Sequence, residues 1–371
     1  MWKGREIVLC ALAVLAGNML GDALLFPPLA YLLMALIFSV LVALRRLRWY
    51  LLLTCLILLG AAAVQLGRMP GMQQQSALMQ WAASCKSAFS AWLGRLLPEG
   101  DELAVLRALL IGDRSGLTRD LRAAYRDSGA MHLLALSGLH VGLIYALLAW
   151  LLRPLGGHRA ARLLRSTALL GLLWTYALIT GLSASISRAV LMITFYELAA
   201  CLSGDRDSLS ALAGSALLLM LLRPESPRDI GFQLSYTAVL SILLLHPWLK
   251  DLLQTRSRLL RRIWELLSVS LCCQLSCGVL AWIYFGTFPR YFLLTALLAI
   301  PVTTAVMYAS AATVALAGLS SFAARCFPIF GACAVTDWLS SVPAVLSGHA
   351  ARLLAWLVHL LNALIHLIAS L

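Results

Sequence analysis

Charge is what this sequence has least of. Only 12% of its 371 residues are Asp, Glu, Lys or Arg, against about 25% in a soluble globular protein. That scarcity, beside 61% hydrophobic residues, excludes a soluble enzyme or binding module and makes a count of domains from length meaningless. Acids are scarcer still, 16 against 29 Lys and Arg, for a net charge of +13. Such a balance can mark a nucleic-acid partner. Membrane proteins, however, gather Lys and Arg in cytoplasmic loops for topological reasons, and topology is the main source expected here. No GxxxxGK[ST] loop occurs, so the chain is not expected to hydrolyse nucleotides. The nine cysteines are scattered. Cys272, Cys273 and Cys277 cluster, but in an apolar span without His or acid at metal-ligand spacing, so they read as small apolar filler and no metal or cofactor is expected. Internal repeats and low-complexity tracts are missing too.

Long apolar runs are what the chain has in abundance. A bilayer core of about 30 Å needs roughly 20 apolar residues of helix. Candidate spans are Ile7–Leu20, Ala23–Leu44, Trp49–Leu66, Met131–Leu152, Ser166–Leu182, Ser185–Leu202, Leu209–Leu222, Ile230–Leu249, Leu266–Phe285 and Phe292–Leu316, with one or two more between Pro328 and Leu371. The expected fold is all-α, a polytopic integral membrane bundle of about 10–12 transmembrane helices. The first run has a basic start and no small-x-small cleavage site, so a retained first helix is expected. With the N-terminus placed in the cytoplasm, inner segments hold 16 of the 29 basic residues. Eight of the others fall between Arg68 and Arg126, in a long outer segment that also holds six acids. Long segments escape the positive-inside rule, so this orientation stands.

Three regions follow: a membrane region of three helices at 1–67, an extracytoplasmic amphipathic helical segment at 68–130, and a transmembrane domain at 131–371. Within the second, Ser76–Leu97 places Leu78, Trp81, Ala82, Cys85, Ala88, Phe89, Trp92 and Leu96 at helical spacing. That face suits the membrane surface or packing against the spans. DELAVLRALLIGD reads as a short amphipathic helix, and Thr118 is placed to cap another at RDLRAAYRDSG.

The most distinctive stretch is MHLLALSGLHVGLIYALLAW, a span that carries His132, Ser137 and His140 beside Gly138 and Gly142. On one helix the two histidines point about 80° apart and sit about 12 Å apart along the axis, so they cannot jointly chelate one metal without help from elsewhere. Ser137 and His140 are three residues apart and can touch, which leaves a hydrolytic pair open. Ala135–Gly138 is similar to the GxSG of rhomboid-type intramembrane proteases, but the first Gly is missing, and those enzymes draw their base from another helix. Gly138 and Gly142 form a small-xxx-small face that allows close helix approach. Polar groups there are costly in lipid and are expected to face other helices or a water-filled path.

Arg188 lies a few residues inside its span, where a charge is expensive and usually functional. Glu197 is on the opposite side of the same helix. Asp113 and Asp229 are the candidate partners, with contact to substrate phosphates as the alternative role. Asp113 and Arg114 share that ambiguity. Gln233 and Gln274 are neutral hydrogen-bonding groups within spans, either glue between helices or pore contacts. Near the end, Arg352, His359, Asn362 and His366 form one polar stripe on an apolar helix, expected to face headgroups.

Taken in order, GDRSGL at Gly112–Leu117, HLLALSGLHVG at His132–Gly142, GLSASISRAVLM at Gly181–Met192 and GFQLSYTAVLSILLLHPWL at Gly231–Leu249 resemble the ComEC competence family, the inner-membrane component of DNA uptake. The resemblance runs from about residue 100 to the C-terminus, with the first three spans matching more loosely. Longer members carry an OB-like domain after the first spans and a metallo-β-lactamase-like domain at the end. This chain has no room for the first between Gly67 and Ser76 and no HxHxDH-type cluster for the second, so a short form without that nuclease-like domain is expected. Cys277 or Gly278 and Thr295 stand where the family tends to have Pro and Asn.

The resemblance implies a channel passing single-stranded DNA inward across a bacterial cytoplasmic membrane, not an enzyme. His132, Ser137, His140, Arg188, Gln233, Gln274, Asp113 and Arg114 are the transport-path candidates. The resemblance implies an extracytoplasmic DNA receptor and a cytoplasmic motor or strand-binding protein as partners; membrane lipids and a separate nuclease are expected beside them, and a pore in one chain and one in a homodimer both stay open. A transporter of another anionic or lipid-linked solute and an intramembrane serine hydrolase using Ser137 are the rivals.

Overall fold

The computed structural model describes residues 4–23, 77–155, 159–202, 207–286, 291–326 and 334–371. The expected spans Ala23–Leu44 and Trp49–Leu66, and most of the 1–67 region, lie outside the described residues. The described chain is helical, with no strand among those residues. In order, the helices are α1 (Gly4–Ala23), α2 (Ala77–Leu96), α3 (Asp101–Ile111), α4 (Arg119–Asp127), α5 (Met131–Leu134), α6 (Gly138–Leu151), α7 (Arg159–Ile179), α8 (Ala184–Leu202), α9 (Ser208–Leu222) and α10 (Ile230–Asp251). They continue with α11 (Arg258–Cys273), α12 (Val279–Phe285), α13 (Phe292–Cys326) and α14 (Ala334–Ala369). Among the described residues, five helical stretches are long and apolar enough to cross a membrane: Ala184–Cys201, Ile230–Asp251, Arg258–Phe285, Phe292–Ser320 and Val345–Ala369. Shorter apolar helices occupy Val8–Met19, Gly138–Leu151 and Ser208–Leu222. The protein is a multi-pass membrane helix bundle.

Lipid tails are as apolar as Leu, so close packing and polar contacts, not release of water, hold such helices together. Three buried clusters result. One joins α2–α5 to α13 and α14 through Leu93, Leu106, Tyr125, Leu134, Val306 and Leu361, among others. A second joins α1, α9 and α10, where Asn18 Nδ2 donates to the carbonyls of Met220 (3.1 Å) and Pro224 (3.4 Å). A third joins α6, α7 and α8 around Val141, Leu173 and Val190. Between α8 and α9 the approach is close enough that a Cβ on Gly214 would lie 2.7 Å from Phe195 Cδ1.

Several local expectations are revised. Helix α3 has no broad polar face: Leu103 to Leu106 and Ala108 to Ile111 are all buried, with α2, α5 and α14 packed on it, and Asp101, Glu102 and Arg107 alone keep access to solvent. The C-terminal polar stripe does not face headgroups throughout. Asn362 is buried and accepts from Tyr125 Oη at 2.9 Å, while His359 Nδ1 lies 3.1 Å from Glu102 Oε1. The stripe therefore docks the 101–127 segment onto α14. Between Pro328 and Leu371 the described part is one helix, α14, which Arg352 does not interrupt. Thr118 does cap α4, its hydroxyl accepting from Leu121 N at 3.3 Å.

Candidate functional site

Met131–Leu152 is not one helix. It is α5, an extended break at Ala135–Ser137, and then α6. Ala135 (φ −81°, ψ 127°) and Ser137 (φ −121°, ψ 168°) are both extended. The angular offset and axial rise expected for His132 and His140 on a single helix therefore do not apply. The break lets the chain change partners. Leu133 and Leu134 pack in the first cluster, whereas Leu136 and Val141 pack in the third.

The loop after α3 braces this break. Gly112 ends α3 in the left-handed region (φ 69°) and donates its N–H to Ala108 O, a common helix stop. The Arg114 guanidinium then donates from Nε to Leu134 O at 3.2 Å, satisfying the end of α5. Arg122 Nη2 holds Arg114 O at 2.7 Å. Asp113 Oδ1 accepts from Ser115 N (3.1 Å) and Ser115 Oγ (2.7 Å), and these donors keep its carboxyl below the ordinary carboxylate range. A further hydroxyl, Tyr176 Oη on α7, reaches Leu110 O at 3.0 Å. The two most distinctive motifs of the sequence are thus one structural unit: a loop that holds open an interruption in an apolar segment.

Ser137 is the N-cap of α6 and His140 its third residue. Ser137 Oγ lies 3.0 Å from His140 Nδ1, and Ser137 N donates to the same nitrogen at 3.3 Å. A side chain reaching back from the third helical residue to the cap N–H is the geometry of a capping box. His140 is fully buried, and its Nε2 has no partner among the described residues. His132 turns to its own loop instead. Its Nδ1 lies 3.0 Å from Gly129 O and its ring 5.2 Å from that of Phe292. Among the described residues no three His, Cys, Asp or Glu are grouped to hold a metal. Gly138 meets Ala189 of α8, its built Cβ 3.8 Å from the Ala189 Cβ, whereas Gly142 has nothing within 4 Å among the described residues.

That contact places the start of α6 against α8 one residue from Arg188. Of its two candidate partners, Arg188 takes Asp229. Nη1 bonds Asp229 Oδ2 at 3.2 Å and Nε bonds Ser235 Oγ at 3.2 Å. The arginine side chain is 9% exposed and the aspartate 53%. Asp229 also caps α10, accepting from Gly231 N and Phe232 N. Gly231 makes room for the guanidinium, since a Cβ there would lie 3.1 Å from Arg188 Nη2. One turn on, Gln233 is tied at both ends: Nε2 donates to Pro227 O (2.8 Å) and Oε1 accepts from Tyr284 Oη (2.7 Å).

Gln274 opens a π-helical turn, Gln274–Gly278, between α11 and α12. Such turns free backbone carbonyls and recur at functional sites. Here Cys272 O receives Ser241 Oγ (2.7 Å) and Ser276 Oγ (3.0 Å), and the Cys277 thiol donates to Leu234 O at 3.3 Å. Cys272 contributes its backbone carbonyl and is otherwise buried as small apolar filler, whereas the Cys277 side chain ties the π-turn to α10.

Sequence reasoning missed one polar centre. Glu197 of α8 is 3% exposed and accepts from Tyr145 Oη (2.5 Å) and Ser166 Oγ (2.7 Å), tying α6 and α7 to α8. An acid inside an apolar run was itself the signal. Its partners, 52 and 31 residues away, could not be read from spacing.

Comparison with known proteins places this geometry in a family setting. A family model described as "Competence protein" matches residues 109–371. The chain is 34% identical over 161 residues to ComE operon protein 3 of Bacillus subtilis, covering 43% of this chain and 20% of that protein. It is 31% identical over 152 residues to competence protein ComA of Neisseria gonorrhoeae, covering 38% and 21%. An uncharacterized protein of Aquifex aeolicus is 30% identical over 149 residues, covering 40% and 34%. The chain thus matches 20% to 34% of the length of these relatives. No solved structure matches it.

Proposed function

We propose, from the premise that the chain belongs to the competence protein family, that it is the membrane channel through which single-stranded DNA crosses a bacterial cytoplasmic membrane. The N-terminus is cytoplasmic in this reading, and residues 131–371 form the channel domain. Residues 68–130 are the outer segment that braces the domain, and residues 1–67 are an accessory membrane region.

The observation that carries the reading is the braced break at Ala135–Ser137. Non-helical backbone at membrane depth is tolerated only inside protein or along a water-filled cavity. The start of a half-helix also presents free N–H groups and the positive end of its dipole, which suits anionic groups passing by. Arg188 and Gln233 continue the polar set across α8 and α10, and Gln274 offers a neutral amide further along. Few fixed cations among neutral hydrogen bonders favour passage of a polyanion over its retention. His132, Asp113 and Arg114 shape the break. An outer DNA receptor, a cytoplasmic motor or strand-binding protein and a separate nuclease complete the pathway, and the pore forms in one chain or between two.

The test is arrival of labelled DNA in a nuclease-protected cytoplasmic fraction of a competent host. Arrival should vanish on deletion and return when the chain is restored. Unchanged arrival would reject the DNA reading in favour of another anionic or lipid-linked solute.

The 3.0 Å contact of Ser137 Oγ with His140 Nδ1 favours one second reading, a serine hydrolase. Against it, the same nitrogen also accepts from Ser137 N at 3.3 Å, as a cap requires, and His140 Nε2 meets no orienting group. An activated-serine reagent is therefore expected to leave Ser137 unmodified in transport-competent protein. Labelling that disappears in Ser137→Ala would establish the hydrolase instead.

A further inference from the structure

Where the end of α2 meets α14, a cleft of about 350 Å³ is lined by Arg95, Leu96, Leu97, Pro98, Arg352 and Ala355, among others. Both arginines are exposed, and neither has a hydrogen-bond or ion-pair partner among the described residues. Arg352 lies inside the apolar stretch Val345–Ala369, seven residues from its start. A guanidinium in that position must be hydrated or meet an anion. Among the described residues no acid lines the cleft; Glu99 and Asp101, the nearest in sequence, lie outside it. Apart from Ser347, the other described wall residues are apolar or glycine, and Leu346, Leu353 and Trp356 stand exposed on the same helix.

We propose that this cleft binds the headgroup phosphate of an anionic phospholipid, with Arg95 and Arg352 as a two-point clamp and the acyl chains lying along α14. Charge complementarity sets the sign of the ligand, because two cations without partners among the described residues face a cleft that no described carboxylate lines. The apolar walls select a lipid over a nucleic-acid strand, which needs a polar groove and stacking surfaces along its length. Basic recesses between membrane helices are a recurrent form of lipid headgroup site. The proposal is independent of DNA passage, since neither arginine belongs to the break or to the Arg188 contacts.

The test uses the full chain in detergent, titrated by native mass spectrometry with phosphatidylglycerol and with phosphatidylcholine of the same acyl chains. Each arginine near a membrane surface favours the anionic lipid by about fivefold. Wild type should therefore prefer phosphatidylglycerol by at least about fivefold. Arg352→Gln should lose most of that preference, Arg95→Gln together with Arg352→Gln all of it, and the paired Lys variants should keep part. Circular dichroism checks that each variant stays helical, and either single variant suffices if the double one does not fold. A preference that survives in a helical Gln variant overturns the proposal. Displacement of the lipid by millimolar inorganic phosphate would assign the cleft to a free anion, and displacement by a single-stranded oligonucleotide would assign it to the strand. Either result rejects the lipid site.

Discussion

Arg188→Gln is expected to cut DNA arrival at least about tenfold, the scale of one buried charge-assisted hydrogen bond, while the protein still accumulates in the membrane. Asp229→Asn should show the opposite pattern. The geometry makes the two partners unequal. Asp229 is half exposed and keeps its bonds to Gly231 N and Phe232 N when the arginine is gone, so no carboxylate is left buried and unpaired. Arg188 is 9% exposed, and without Asp229 it keeps only Ser235 among its bonded partners. Stranding a buried charge costs about 3–5 kcal/mol, far more than losing a partner that water can replace. If the pair is only a brace, Asp229→Asn must do more damage than Arg188→Gln by every measure. If Arg188 also meets phosphates, the order reverses for transport but not for thermal stability in detergent. Arg188→Lys keeps the charge but loses the planar fork, so partial transport is expected. Normal transport in Arg188→Gln would remove the residue from the DNA path. Failure of that variant to accumulate, with Asp229→Asn accumulating normally, would contradict the energetic argument itself.

The inequality within that pair was not visible in the sequence, although its members were. Composition and apolar runs announced a helical membrane bundle, because a bilayer forces backbone groups to bond within a helix. A charge inside a span flagged Arg188, and the topology limited its partner to Asp113 or Asp229. Thr118 was legible as a cap because capping is local. The break at Ala135–Ser137 was hidden, since no proline marks it and hydropathy continues across it. Its one local sign was a Ser three residues before a His, which imitates a capping box without the usual Glu or Gln. The role of the C-terminal stripe depended on Tyr125 and Glu102, 237 and 257 residues from their partners. A polar stripe alone cannot tell headgroups from another helix. The same limit explains α3, read as a short amphipathic helix although Leu103 to Leu106 and Ala108 to Ile111 are all buried.

Gly112→Ala should be the most damaging single substitution in the braced unit, and it tests whether the loop and the break act together. Two costs add. Gly112 sits at φ 69°, where a Cβ costs about 1–2 kcal/mol. That Cβ would also stand 2.5 Å from Leu136 Cδ1 and 3.1 Å from its Cγ. Leu136 cannot swing aside cheaply, because it is 7% exposed within the cluster of Leu173, Ile186 and Val190. Overpacking of that kind costs about 1–3 kcal/mol more. Loss of accumulation, or a large fall in melting temperature in detergent, is therefore expected, and DNA arrival should fall with it. Leu136→Ala in the same chain should relieve the clash but not the backbone strain. The double variant should thus be more stable than the sum of the two singles by about 1–2 kcal/mol. Gly142→Ala is the control. With nothing among the described residues within 4 Å of its built Cβ and an ordinary helical backbone, it should be neutral or slightly stabilising. Strict additivity of Gly112→Ala and Leu136→Ala would mean that the loop and the break are neighbours without being coupled. A favourable coupling would show that the glycine after α3 is there to let Leu136 seat, and with it to fix where the half-helix α6 begins.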